Sequence, residues 1–189
     1  MAKKRSRLFK STVGILIAAL LLVTAYFGSL SMLKTLYPLR YDEFVESYTE
    51  EYNLKKSFVY AVIKCESNFQ KDAVSSVGAM GLMQIMPETF EWLQTKTGEE
   101  LSEELLFDEN TNIKYGCLFY ELLLEKFKSK EAAIAAYHAG IGNVSKWLKN
   151  EKYSSDGVHL DEIPFASTKA YVERVIKTEQ IYEKLYNIK

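Results

Sequence analysis

Cysteine and histidine are scarce in this chain of 189 residues, which has two of each. No His-Glu-x-x-His pattern and no cysteine cluster gathers them, so the sequence offers no metal site. A Gly-x-Ser-x-Gly elbow and a phosphate-binding glycine-rich Lys motif are both absent, which removes two common enzyme chemistries. Sustained alternation of apolar and polar residues is missing, and with it the signature of a sheet. There is no internal repeat and no low-complexity tract. Acidic residues are missing from positions 1–40, where Lys3, Lys4, Arg5, Arg7, Lys10, Lys34 and Arg40 stand. With a formal net charge of −1 overall, the rest of the chain therefore carries −8. Binding to nucleic acid draws most of its affinity from basic side chains that neutralise phosphates, and in that part of the chain acids outnumber them, so no nucleic-acid partner is expected.

What is present begins with an apolar run. The 23 residues from Ser11 to Leu33 carry no charge and are rich in Leu, Ile, Val and Ala. As a helix rising about 1.5 Å per residue, such a run crosses a bilayer. Five basic residues precede it, and the positive-inside rule keeps such a flank in the cytoplasm. The expected organisation is a basic cytoplasmic tail over 1–10, a transmembrane anchor over 11–33 and an extracytoplasmic domain over 34–189. A cleaved signal peptide is the competing reading. Against it stand the length of the run and the weakness of Gly28-Ser29-Leu30-Ser31 as a cleavage site. Outside the cytoplasm Cys65 and Cys117 could form a disulfide. Both also sit on predicted helices among apolar neighbours, where a free cysteine acts as a small hydrophobe.

The remainder reads as an all-α domain of helices joined by short polar loops. Helices are expected from Tyr41 to Tyr52 and from a cap at Asn53 to Cys65 or Glu66. The loop Gln70 to Met86 follows. A further helix begins at Pro87, whose missing N–H costs nothing in a first turn, and ends at Gly98. Three more are expected over Thr111–Phe127, Glu131–His138 and Asn143–Leu148, then an exposed loop from Asn150 to Pro164 and a last helix from Thr168 to Tyr186.

Glu66 is the residue that points to chemistry. At about 100° per residue, Phe58, Val62, Glu66 and Val59 fall on one arc of their helix, so the carboxylate projects from inside an apolar stripe. Burial there disfavours the charged form and raises the pKa, which makes Glu66 a candidate general acid near neutral pH. The same position also suits a helix cap or a partner for a buried lysine.

Three ordered blocks carry a family likeness. The first is Glu66-Ser67-x-Phe69 with Ala73-Val74-Ser75 and Gly78-Ala79-x-Gly81-Leu82-Met83-Gln84-x-x-Pro87-x-Thr89. The second is Asn112-Ile113 with Gly116, then Ala136-Tyr137-His138-Ala139-Gly140. The third is Ile163-Pro164-Phe165-x-x-Thr168-x-x-Tyr171-Val172. Together they resemble the SLT-type lytic transglycosylases, over most of the domain that follows the apolar run. The resemblance implies a lysozyme-like helical domain with a cleft and no cofactor. It also implies cleavage of the β-1,4 bond between N-acetylmuramic acid and N-acetylglucosamine in peptidoglycan, leaving a 1,6-anhydromuramoyl end. A glycosidase ordinarily needs two carboxylates. Here the C6 hydroxyl of the muramic acid is the nucleophile, so Glu66 alone would serve as acid and then base.

By motif position the resemblance gives Gln84 and Ser75 sugar contacts and puts Met83 on the floor of the groove. Tyr137 would line that groove, and Tyr171 would reach Glu66 with its hydroxyl. Each has a plainer role open to it, Ser75 as a turn cap and Met83 or either tyrosine as core. The chain also departs from the pattern. His138 stands where Asn is usual, which unsettles a sugar contact. Ser167-Thr168-Lys169 stands for Glu-Thr-Arg, and Gln70-Lys71 for Asn-Pro. A hydrolytic muramidase would need a second carboxylate, for which Asp72, Glu88, Glu91 and Asp108 are near in sequence. An inactive wall-binding scaffold, attached to a cell-envelope assembly partner, is the reading from another class.

Overall fold

The computed structural model describes residues 2–188, with side chains described from position 16 onward except at 17 and 18. The side chains of the basic tail over 1–10 lie outside the described residues. The chain divides into two units, Met1–Pro38 and Leu39–Lys189. The first is a helix, α1 (Ala2–Leu36), which runs on past both ends of the expected 11–33 span. Its stretch Ala19–Leu36 is long and apolar enough to cross a membrane. Leu20, Leu21, Leu22, Tyr26, Phe27 and Met32 there are exposed. A helix that presents such side chains outward has no core of its own to bury them in.

The second unit contains α2 (Asp42–Glu51), α3 (Lys56–Glu66), α4 (Pro87–Thr97), α5 (Glu109–Phe127), α6 (Lys130–Ala139), α7 (Ile141–Leu148) and α8 (Ala166–Tyr186). Among the described residues there is no strand, only the isolated bridges Val74–Met80 and Met80–Ile85. Helix α3 is the centre. It packs on α8 and α2, while α5 packs on α2, α4 and α6, and α6 on α7 and α8. Every residue of α3 from Ser57 to Ile63 is buried, so this helix is enclosed all round and not only along the stripe that its sequence shows. Tyr60 of α3 stacks on Tyr182 of α8 at 5.4 Å, and Phe58 meets Tyr120 of α5 edge-on at 4.8 Å.

Helix ends follow capping chemistry. Pro87 opens α4, and Gly98 closes it at φ +74°. Helix α5 starts two residues earlier than expected, because the Asp108 side chain accepts from the Thr111 N–H at 2.8 Å. Asn53 does not cap α3. It takes φ +49° in the turn after α2, and Lys55 occupies the cap position with no side-chain bond. Helix α7 begins at Ile141 rather than Asn143, straight after Gly140 at φ +87°. Helix α8 likewise begins at Ala166 rather than Thr168. A 3₁₀ turn over Glu103–Phe107 was not expected, and buried Leu106 anchors it. The loop from Asn150 to Pro164 is less exposed than its polarity predicts. Ser154 and Leu160 are buried, and the Asp161 N–H donates to the Tyr153 carbonyl at 2.9 Å.

Candidate active site

Glu66 is the last residue of α3, half-buried where the chain leaves the core. Ser67 fixes the exit, donating from its hydroxyl to the Leu82 carbonyl at 2.8 Å. Asn68 and Phe69 then both adopt left-handed backbone, at φ +52° and +64°. That conformation is uncommon for asparagine and a genuine outlier for phenylalanine. Burial of the Phe69 ring, 6.4 Å from Tyr60, holds it there.

The loop between Gln70 and Met86 is knitted by its own backbone. The Ser75 N–H donates to the Ala79 carbonyl at 2.9 Å, Gly81 to Ala73 at 2.9 Å, and Met80 and Ile85 exchange bonds at 2.9 and 3.0 Å. Asn112 of α5, fully buried, pins the loop to the helices. Its Oδ1 accepts from the Met83 N–H at 2.7 Å, and its Nδ2 donates to the carbonyls of Leu106 at 2.7 Å and Met80 at 3.1 Å. The pin demands glycine at 81. A Cβ there would lie 2.1 Å from both Asn112 Nδ2 and the Leu106 carbonyl, and φ is +78°.

The motif residues take different places around this loop. Ser75 Oγ accepts from the N–H groups of Ala79 at 2.9 Å and Val77 at 3.3 Å, so it caps a turn. Gln84 Nε2 donates to the carbonyls of Gly81 at 2.9 Å and Ala73 at 3.0 Å. Met83 is fully buried, with its sulfur where a Cβ on Gly116 would be, 2.2 Å away, so its side chain faces the core of α5. Its carbonyl instead accepts from the Tyr137 hydroxyl at 2.7 Å.

Glu66, Tyr171 and Tyr120 form one chain of contacts. The Tyr171 hydroxyl donates to Glu66 Oε1, and the Tyr120 hydroxyl lies 3.3 Å from that of Tyr171. Tyr137 stacks flat on Tyr120 at 4.2 Å and 4°. Burial pushes Glu66 up from 4.5 to about 7, against the Tyr171 hydrogen bond and the Arg174 charge, which both favour the carboxylate. Burial likewise holds the phenols of Tyr120 and Tyr171 well above their usual range, so both act as neutral donors. Asp108, one of the acids near in sequence, is occupied in capping α5.

His138 stacks on Tyr171 at 4.7 Å, and its Nδ1 lies 3.1 Å from the buried Thr168 hydroxyl. Partial burial and, behind it, the Arg174 charge hold the imidazole below its ordinary range. The structure thus gathers Glu66, Tyr171 and His138 on one side and the loop of Ser75, Met83 and Gln84 on another, with Tyr137 joining them. Two members of the site were not anticipated. Tyr120 falls within the helix expected over Thr111–Phe127, with nothing in its sequence to mark it. Arg174, exposed, with its guanidinium carbon 5.5 Å from the Tyr171 ring, was not read at all. Its spacing of three from Tyr171 on a helix was the available signal. Cys65 and Cys117 are both free. Cys117 is buried, and the Cys65 thiol lies 3.6 Å from the Thr178 hydroxyl.

Beside this cluster, a cleft of about 450 Å³ is walled by Met86, Glu88, Trp92, Phe119, Tyr137 and His138. Among the described residues no group of three or more Cys, His, Asp or Glu side chains is placed to hold a metal ion.

Comparison with known proteins matches residues 43–159 to the transglycosylase SLT domain. The soluble lytic murein transglycosylase of Escherichia coli K12 is 33% identical over 154 residues, 77% of this chain and 23% of that protein. A membrane-bound lytic murein transglycosylase C of Glaesserella parasuis is 27% identical over 124 residues, 60% of this chain and 34% of that one. Among solved structures, an inactive mutant of lytic transglycosylase Slt from Pseudomonas aeruginosa superposes with a TM-score of 0.72 at 30% identity. That match covers 82% of this chain and 26% of the other. The chain spans about a quarter of the length of the soluble relatives it matches.

Proposed function

The chain belongs to the transglycosylase SLT domain family, and from that membership we propose that it is a lytic transglycosylase acting on peptidoglycan, with Glu66 as its acid and base. The observation that carries the reading is a desolvated carboxylic acid at the end of α3, held by a phenol. A hydrolase of the two-carboxylate kind would need a partner acid close by.

In the proposed reaction the Glu66 carboxyl gives its proton to the oxygen that links C1 of N-acetylmuramic acid to C4 of N-acetylglucosamine. The C1–O bond breaks, and the glucosamine leaves with a free C4 hydroxyl. The C6 hydroxyl of the same muramic residue then attacks C1 and returns its proton to Glu66. The product is a 1,6-anhydro ring, and the enzyme regains its starting protonation. Because the nucleophile is tethered to the reacting carbon, its effective concentration is high. The Tyr171 phenol donates to the carboxylate that exists between the two steps. Tyr137, anchored to the Met83 carbonyl, walls the sugar groove, and His138 borders it. Gln84 and Ser75 are assigned to shaping the loop that faces the sugar, with the remaining acceptor of Gln84 available to it. The buried Met83 supports the floor from beneath.

We assign α1 the role of a membrane anchor with the family domain on the extracytoplasmic side. Its apolar stretch, the basic residues ahead of it and the membrane-bound name of one set of relatives support this.

Mass spectrometry of products from purified peptidoglycan tests the chemistry. Anhydromuramoyl ends, absent with Glu66→Gln, are expected. Reducing ends would show that water attacks instead, and binding without any cleavage would mean a scaffold.

A further inference from the structure

Aromatic rings lead outward from the acid. After Tyr171, Tyr120 and Tyr137 comes Phe119, 5.0 Å from Tyr137, and then Trp92, which meets Phe119 edge-on at 6.0 Å. Tyr120 and Phe119 are buried, whereas Trp92 leaves 38% of its surface exposed. Its indole divides two hollows. One is the cleft of about 450 Å³ that reaches Tyr137 and His138. The other, of about 400 Å³, is edged by Lys96, Leu122, Glu125 and Lys126, and shares Trp92 and Ile141 with the first. The Lys96 ammonium stands 5.5 Å from the indole centre. Neither Lys96 nor Lys126 forms an ion pair among the described residues.

We propose that these joined hollows hold the peptidoglycan strand beyond the disaccharide being cleaved, with Trp92 as the stacking platform for a sugar ring and Lys96 and Lys126 as partners for a stem-peptide carboxylate. The proposal rests on the transglycosylase reading above. Its chemistry is specific to that occupant. A β-1,4-linked N-acetylhexosamine carries its substituents equatorially and shows a face of axial C–H bonds, which suits an exposed indole. Stem peptides bring free carboxylates, and the two ammonium groups, which meet aromatic rings at 5.5 Å (Lys96 on Trp92) and 5.8 Å (Lys126 on Phe127) and no carboxylate among the described residues, are available to pair with them. The first hollow includes Tyr137 and His138 of the candidate active site and shares Trp92 and Ile141 with the second, which gives one strand a path past all of them.

The test uses the full chain in detergent and glycan strands of two kinds, peptide-bearing and peptide-stripped. Trp92→Ala is expected to raise KM for both kinds about five- to tenfold with kcat unchanged, and Trp92→Phe to restore most of the loss. Lys96→Ala with Lys126→Ala is expected to raise KM for peptide-bearing strands only. The chain has two tryptophans, so in a Glu66→Gln, Trp147→Phe background the fluorescence of Trp92 reports strand binding directly. An unchanged KM for Trp92→Ala, a loss confined to kcat, or a silent Trp92 signal overturns the platform, and equal KM changes on both strand types overturn the lysine contact. If the unaltered chain yields no anhydro product while Trp92 still responds, the transglycosylase reading fails and the groove stands as a binding surface.

Discussion

Glu66 sits where two demands on a side chain conflict. Desolvation raises its pKa to about 7, while Tyr171 and Arg174 pull toward the charged form. A first step that needs the protonated acid should therefore run fully below pH 7 and fall as pH rises through that value. Tyr171→Phe removes the hydrogen bond that favours the carboxylate, so the alkaline limb should move to higher pH while turnover drops. A limb that moves to lower pH would refute the assignment of Tyr171 as the stabilising donor. Glu66→Gln should cut turnover by about 10²–10⁴, the usual worth of a positioned acid. The same substitution bears on stability. A glutamate whose folded pKa lies above its unfolded value contributes stability that is complete below 4.5 and lost as pH rises through about 7. Relative to the parent, Glu66→Gln should thus gain about 1–2 kcal/mol above pH 7, after allowance for the partial exposure of the group, and little at pH 4. Urea unfolding at the two pH values measures the difference.

At the scale of elements, the loop from Gln70 to Met86 owes its shape to α5 as much as to its own glycines. Asn112→Ala would strand the Met83 N–H and the Leu106 carbonyl and leave the Met80 carbonyl only its bond from the Ile85 N–H, at a cost of about 3 kcal/mol. Amide exchange should speed most within 73–85, and less in α8, which the loop does not support. Uniform acceleration across the domain would contradict this local role. The pin shows what was legible in the sequence and what was not. Asn112 was visible as part of a motif, but its three partners lie 6, 29 and 32 positions away, and spacing along a chain does not reveal such bonds. Helices α4 and α8 were readable because proline, glycine and periodic apolar residues act locally. The start of α5 was misplaced by two residues because a cap depends on one aspartate rotamer. The 3₁₀ turn was missed because only burial of Leu106 distinguishes it from a loop.

Across the whole molecule, Glu66 was legible because a carboxylate on an apolar face violates the local pattern, and Tyr171 because its motif accompanied it. Arg174, Trp92 and the joined hollows were not, since they depend on which helix faces meet. The division at Pro38 leads to a further expectation. The second unit encloses its own core, from Phe58 and Tyr60 through Tyr120 to Tyr182, and its helices close on one another. A fragment over 39–189 should therefore fold cooperatively, stay in the supernatant and cleave isolated peptidoglycan with the turnover of the full chain. The full chain should sediment with membranes and remain there through an alkaline carbonate wash, because an apolar helix that spans a bilayer is not released by removing charge contacts. Release by carbonate would mean that α1 is no span. A fragment that aggregates would mean that the family domain needs the first unit to fold. Sedimentation and cleavage, measured on the same two proteins, separate these causes, since the first tests the proposed anchor and the second the proposed chemistry of Glu66.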